Sequence, residues 1–182
     1  VRCRTLFIAI PGHNLLGWDA SGLELRMLGH FMGKYDDGAY VKVVLEGDVH
    51  TTNQQAAGLP TRSTAKTFIY AWLYGAGGHK IGTITDVTEE EILNLKLITG
   101  EWNRAKSTLE KRKMSTTDYN VALEMKGRRL KSRFIKGLPA LGLLKEAVEA
   151  KAVNQKSVKG LDGRIMPCRS PHSSLNTVLQ SA

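Results

Sequence analysis

The sequence predicts an α+β fold, mostly helical, with a small antiparallel sheet. Three observations predict it. Short apolar, β-leaning runs occur near the N-terminus and around Leu161-Asp162-Gly163-Arg164. Between them, helix-length stretches carry apolar side chains at helical spacing. Gly, Pro and Ser/Thr/Asp clusters separate those stretches where caps and turns belong.

Taken in order, Leu6–Ile10 and Asn14–Asp19 read as two strands joined by a Pro11-Gly12-His13 turn, which places Asp19 at a strand end. Ser21-Gly22 then opens a helix whose apolar stripe is Leu23, Met27, Leu28, Phe31 and Met32. Residues 39–47 fit a helix or a strand by period, and a helix is favoured. Asp48 precedes a helix ending at Gly58. Thr61 caps the clearest helix of the chain, which runs to Gly75, a C-cap residue. Residues 76–87 read as a glycine-rich loop with a short extended piece. A helical region from Thr88 to about Lys113 is expected to break at Gly100. Ser115–Asp118 reads as a turn and cap before a helix to Ile135, and Leu138-Pro139 starts another reaching Val153. Val158–Arg169 reads as a hairpin around Asp162-Gly163, and Ser170-Pro171 begins a last helix.

With 182 residues the chain is long enough to bury a sizeable core. A hydrophobic share of 42% and a charged share of 24% exclude a disordered tail, a collagen and a coiled coil. No apolar run approaches ~18 residues, so no membrane helix is expected. The only cysteines, Cys3 and Cys168, exclude a disulfide framework and read as reduced thiols. The first residue is Val1 and the last run, Leu175–Ala182, has no breaker, so the sequence is expected to be an internal piece of a longer protein. The net charge of +9 is uneven: residues 1–100 hold 9 Lys/Arg against 10 Asp/Glu, whereas residues 101–182 hold 17 against 7. A basic half beside a neutral half suits a polyanion, although Lys126–Lys136, the densest stretch, also fits a solvated helix face.

Arg62, Lys66 and Tyr70 stand at i, i+4 and i+8. At ~100° per residue they drift only ~80° around a helix, so they share a face, and Tyr74 extends it. Two cations and two aromatics in a column suit a nucleoside triphosphate: Arg grips phosphate as a fork, Lys as a point charge, and a ring packs on sugar or base. The same spacing also fits a solvated basic stripe over buried aromatics. Asp19 suits a divalent metal or simply a turn beside Ser21-Gly22, and one Asp cannot hold a metal pair. Glu24 falls in a first helical turn, and His50 is a phosphate donor or a cap-region residue. Gly75–Gly78 follows its helix, so it is not a Walker loop. No Cys/His metal spacing and no Ser/His/Asp set are present.

These residues spell a known pattern. Asp19–Arg26 (DASGLELR) resembles motif A of family A DNA polymerases, and Arg62–Gly75 (RSTAKTFIYAWLYG) resembles motif B, with R-x3-K-x3-[FY]-x3-YG filled throughout. GDVH (Gly47–His50) sits between them as in that family. GRRLKSRFIKGLPAL, LDGR and Arg169–Ala182 (RSPHSSLNTVLQSA) resemble the stretch leading to motif C. The likeness covers nearly the whole chain in the family's order and is nearest to polymerases of podovirus-type bacteriophages. Residues 85–124 have no clear counterpart and read as a variable part of the fingers. Motif C, with its second catalytic aspartate, is not in the sequence.

The resemblance implies the palm and fingers portion of a right-hand polymerase, with helical fingers on a small, incomplete antiparallel palm sheet. Residues 1–58 would be the first part of the palm, 59–153 the fingers, and 154–182 the return to the palm. It implies template-directed DNA synthesis: a DNA-directed DNA polymerase (nucleotidyltransferase) adds dNMP to a primer 3′-hydroxyl by two-metal phosphoryl transfer, and the isolated piece is inactive. Asp19 would hold two Mg2+ with the Ala20 carbonyl, and Asp19 and Lys66 would be catalytic. Glu24, His50, Arg62, Lys66 and Tyr70 would bind dNTP, Glu24 as the gate against a ribose 2′-hydroxyl. Tyr74, Gly75, Gly77, Arg169, His172, Asn176 and Gln180 would contact template and primer. Implied partners are primer–template DNA, dNTPs and a processivity factor, helicase or primase, with no membrane, in the host cytoplasm during infection. The rival readings are a non-catalytic DNA-binding module and a relative of single-subunit RNA polymerases, the latter opposed by Glu24.

Tyr70 stands where many cellular relatives carry phenylalanine. Primer extension by the complete enzyme should terminate readily with dideoxynucleotides, and Tyr70→Phe should restore discrimination. Equal termination by the two would count against Tyr70 lying at the sugar.

Overall fold

The computed structural model describes residues 6–17 and 19–181. Cys3 and Trp18 lie outside them, and Cys168 is a free thiol. Ten helices are described: α1 (Leu23–Asp36), α2 (Ala39–Glu46), α3 (Val49–Ala57), α4 (Arg62–Leu73), α5 (Gly78–Gly82), α6 (Glu89–Lys96), α7 (Thr99–Lys111), α8 (Asp118–Gly137), α9 (Pro139–Gln155) and α10 (Ser174–Leu179). A 3-10 turn, Pro171–Ser173, leads into α10. Strands β1 (Ser157–Lys159) and β2 (Ile165–Pro167) pair antiparallel with Val158 opposite Met166. No described helix is long and apolar enough to cross a membrane.

Local chemistry sets most of these boundaries. Asp48 caps α3 by accepting from the His50 and Thr51 amides, and Thr61 caps α4 by accepting from the Thr64 amide. Thr88 and Glu91 form a reciprocal capping box at α6, and Thr117 caps α8. At the end of α4, Gly75 takes φ 75°, where a side chain would be strained. Its amide donates to the Trp72 carbonyl and that of Ala76 to the Ala71 carbonyl, which closes the helix and turns the chain back.

The main core lies between α1, α4, α8, α9 and α10. The Phe134 ring meets Phe68 and Trp72 edge-on, at 5.2 and 5.4 Å between centroids. Leu28, Ile69 and Leu141 are fully buried around them, each contributing about 1.5–3 kcal/mol of transfer free energy. A smaller cluster of Ala105, Leu109, Val121 and Met125 joins α7 to α8. The closest helix contact is α5 on α8, made backbone to backbone. A Cβ on Gly127 would overlap the Gly78 carbonyl, and one on Gly82 would overlap that of Leu123.

Three expectations are corrected. Residues 6–17 hold no described strand. The turn is present, with the His13 amide donating to the Ile10 carbonyl at 3.0 Å, but Leu6, Phe7, Ile8 and Leu16 are 73–92% exposed. A lone hairpin is marginal in water, and among the described residues no further strand or helix face covers these side chains. Asp19 therefore stands on an exposed irregular segment rather than a described strand end, and the described sheet is the 157–167 hairpin alone. Residues 76–87 include helix α5, because glycines at 78 and 82 permit its contact with α8. The break between α6 and α7 falls at Leu97-Ile98, and Gly100 lies inside the first turn of α7.

Two outcomes follow. Gly127→Ala forces a methyl against the Gly78 backbone, which cannot rotate away, and should destabilise the chain by about 3 kcal/mol in a thermal or denaturant melt. Tyr40 is 3% exposed and its hydroxyl donates to Asn53 Oδ1 at 3.1 Å; burial pushes its phenol up to about 12. The stability it contributes is present below the ordinary phenol value of 10.0 and is lost as pH rises toward about 12. Tyr40→Phe should be less stable at neutral pH, because Asn53 loses its donor, yet show a flatter stability profile between those values.

Candidate nucleotide and template site

Helix α4 places its column as the spacing requires. Arg62 and Lys66 are exposed, Tyr70 is half-buried and Tyr74 is exposed, while Ala65, Phe68, Ile69 and Trp72 fill the core on the other side. One face thus anchors the helix and the other offers the functional groups.

At the N-terminal end α3 meets α4. Asp48 Oδ2 accepts from Arg62 Nε at 2.7 Å and from the Thr51 hydroxyl at 2.8 Å, so the residue that caps α3 also aims the Arg62 guanidinium. These bonds hold the Asp48 carboxyl well below the usual carboxylate range. His50 follows, its ring centroid 6.4 Å from that of Tyr70. Its Nδ1 is buried without a hydrogen-bond partner. Burial first, then the Arg62 and Lys66 cations, push the ring below the ordinary histidine value. This corner is a cationic surface with a neutral imidazole at its back.

At the other end α1 meets α4. The Tyr74 hydroxyl donates to Glu24 Oε1 at 2.7 Å, and that bond is the main cause that raises the Tyr74 phenol. Gln180 acts on the same phenol in the opposite sense. Burial and then Glu24 raise the Tyr70 phenol. Glu24, Tyr70, Tyr74 and Gln180 are therefore neighbours, although they come from three separate segments.

Beyond Tyr74 a cavity of about 470 Å³ is lined by Gly75, Gly77, His172 and Asn176, four of the residues expected to contact template and primer. His172 lies in the 3-10 turn and Asn176 in α10, so the two do not share one continuous α-helical face. Arg169 is exposed and outside that lining. Asp19 and Ala20 lie on the exposed segment, and no described contact brings them to the α4 column. Among the described residues no three carboxylate, histidine or cysteine side chains gather as a metal site. Asp19 alone does not fit a metal pair, and no chemical step can be derived through one from these residues.

Sequence reasoning missed two sets of residues. Asp48 reads in the sequence as the residue before a helix and as part of GDVH, and its grip on Arg62, 14 residues on, has no local signal. The same cavity also carries Arg112, Lys131 and Lys145, three cations from separate elements that no motif connects.

The chain is 39% identical over 180 residues to a DNA-directed DNA polymerase of Enterobacteria phage T3, and equally to one of Escherichia phage T7. Each match takes in 91% of this chain and 21% of the relative, so the chain spans about a fifth of the length of these curated relatives. The thermostable DNA polymerase I of Thermus aquaticus is 35% identical over 99 residues, covering 50% of this chain and 12% of that protein. No family model matches the chain.

The double role of Asp48 can be separated by substitution. Asp48→Asn keeps an N-cap acceptor and loses the charge that holds Arg62; Asp48→Ala loses both. Thermal melts should place Asp48→Ala clearly below Asp48→Asn, and the two falling together would show that the cap contributes nothing.

Proposed function

We propose, from the premise that this chain is a partial relative of the family A DNA polymerases, that it forms the dNTP-binding part of a template-directed DNA polymerase. The observation that carries the reading is the α4 column, with His50 and Asp48 at its cationic end and Glu24 at its aromatic end. An incoming nucleotide laid along it would set its triphosphate against Arg62 and Lys66 and its sugar and base against Tyr70.

Arg62 supplies a fork already aimed by Asp48, so little side-chain entropy is lost when phosphate arrives. Lys66 adds a point charge that offsets the negative charge developing as the phosphoryl group transfers. His50, neutral and half-buried, offers a ring N–H beside them. Glu24 lies near Tyr70, where a ribose 2′-hydroxyl would have to displace the Glu24–Tyr74 bond; a deoxyribose leaves that bond in place. The complete polymerase would use divalent metal held partly by Asp19 and Ala20, and this segment by itself would be inactive. Primer–template DNA is the proposed partner, and its phosphates suit the basic half of the chain.

The test uses the complete polymerase that contains this segment. Arg62→Ala and Lys66→Ala should each lower kcat/KM for dNTP by about 10–100-fold, the loss of one charge-assisted contact of about 1.5–3 kcal/mol. Asp19→Ala should abolish extension, and Glu24→Ala should raise incorporation of rNTP relative to dNTP. Unchanged dNTP kinetics in both α4 variants would overturn the reading.

A further inference from the structure

The cavity beyond Tyr74 gathers cations from three elements. Arg112 follows the last turn of α7, Lys131 comes from the middle of α8 and Lys145 from α9, and all three line it. Two have carboxylate partners. Lys145 pairs with Glu149 at 2.8 Å, and Arg112 lies 3.6 Å from the buried Glu124, which it shares with Arg128. Lys131 has no described carboxylate partner; its ammonium donates to the Ala76 carbonyl at 2.8 Å. An ammonium carries three donors, so two remain to be satisfied. Burial, and then the Lys145 ammonium, hold it below the usual lysine range. Glu149 also lines the cavity, so three cations face one carboxylate there, and the remaining positive charge is offset by an anion.

The surroundings say which anion. Gly75 and Gly77 form part of the wall, and without side chains they let another backbone approach closely. Arg112 leans over Gly77, where a Cβ would sit 2.7 Å from its guanidinium. The cavity lies past the C-terminal end of α4, while Arg62 stands at the N-terminal end. Eleven helical steps at ~1.5 Å separate them by about 16 Å, too far for one triphosphate to engage both. A polymer with a phosphate at every nucleotide reaches this cavity while a nucleotide occupies the column.

We propose that Arg112, Lys131 and Lys145 form a pocket for a backbone phosphate of the DNA strand that passes the C-terminal end of α4. The proposal rests on the polymerase reading. It adds three strand-binding cations that no single motif connects and gives the Lys131–Ala76 bond a role: it ties the turn after α4 to the helix that carries the phosphate ligand.

The complete polymerase tests it by fluorescence anisotropy, with primer–template carrying a 5′ overhang and with blunt duplex, over a series of salt concentrations. Lys131→Gln and Lys145→Gln should each weaken binding and reduce the slope of log affinity against log salt by about 1, whereas Lys131→Arg should keep the slope. Lys145 makes no described backbone bond, so its effect is free of any disturbance at Ala76. A reduced slope with the overhang substrate alone assigns the phosphate to the unpaired template; a reduced slope with both assigns it to the duplex. An unchanged slope in both glutamine variants overturns the pocket. No binding of either DNA by the parent enzyme would overturn the polymerase reading itself.

Discussion

Glu124 is 1% exposed, and its two carboxylate oxygens are both in use. One accepts from the His79 amide at 2.7 Å and the other from Arg128 Nε at 2.7 Å, with Arg112 nearby. A charge so buried would be costly alone, and here it is offset by two guanidiniums and a helix amide. The same contact brings Gly78 and Gly127 into backbone contact. The consequence is positional: α5 is held on α8, and the turn after α4 is held with it. Both ends of the functional helix then have defined surroundings.

Helix α4 works as a ruler between two chemistries. Its N-terminal end is cationic, prepared by Asp48 and backed by His50. Its C-terminal end is aromatic and acidic, where Tyr74 meets Glu24. The inward face, with Phe68, Ile69 and Trp72, supplies the packing that keeps the outward face in place. The proposed nucleotide would use this polarity, because phosphate and base differ in charge and shape. The basic cavity beyond Tyr74 continues the line past the length of a single nucleotide.

Much of this was legible in the chain. The caps Thr61, Thr117 and Asp48 and the C-terminal Gly58 and Gly75 are local signals, because a side-chain oxygen or a missing Cβ acts within a few residues. The column of Arg62, Lys66, Tyr70 and Tyr74 was legible because one helix carries it whole. The strand expectation for residues 6–17 was not met, because a strand depends on partners that local composition does not reveal, although the Pro11-Gly12 turn did form. Helix α5 was missed because glycine is a poor helix former, and only its contact with α8 makes glycine the residue that fits at 78 and 82.

The sequence by itself therefore determined what short-range physics governs: the helices, their caps, the hairpin and the order of groups along α4. Tertiary structure alone decided which distant groups meet. Asp48 holds Arg62, Glu24 meets Tyr74, Glu124 binds the His79 amide, and Arg112, Lys131 and Lys145 converge on one cavity. These pairings span 14 to 50 residues, and they arise from packing several helices around Phe68 and Phe134. Helical period reports which face a side chain occupies, and only the packed core decides what that face is set against.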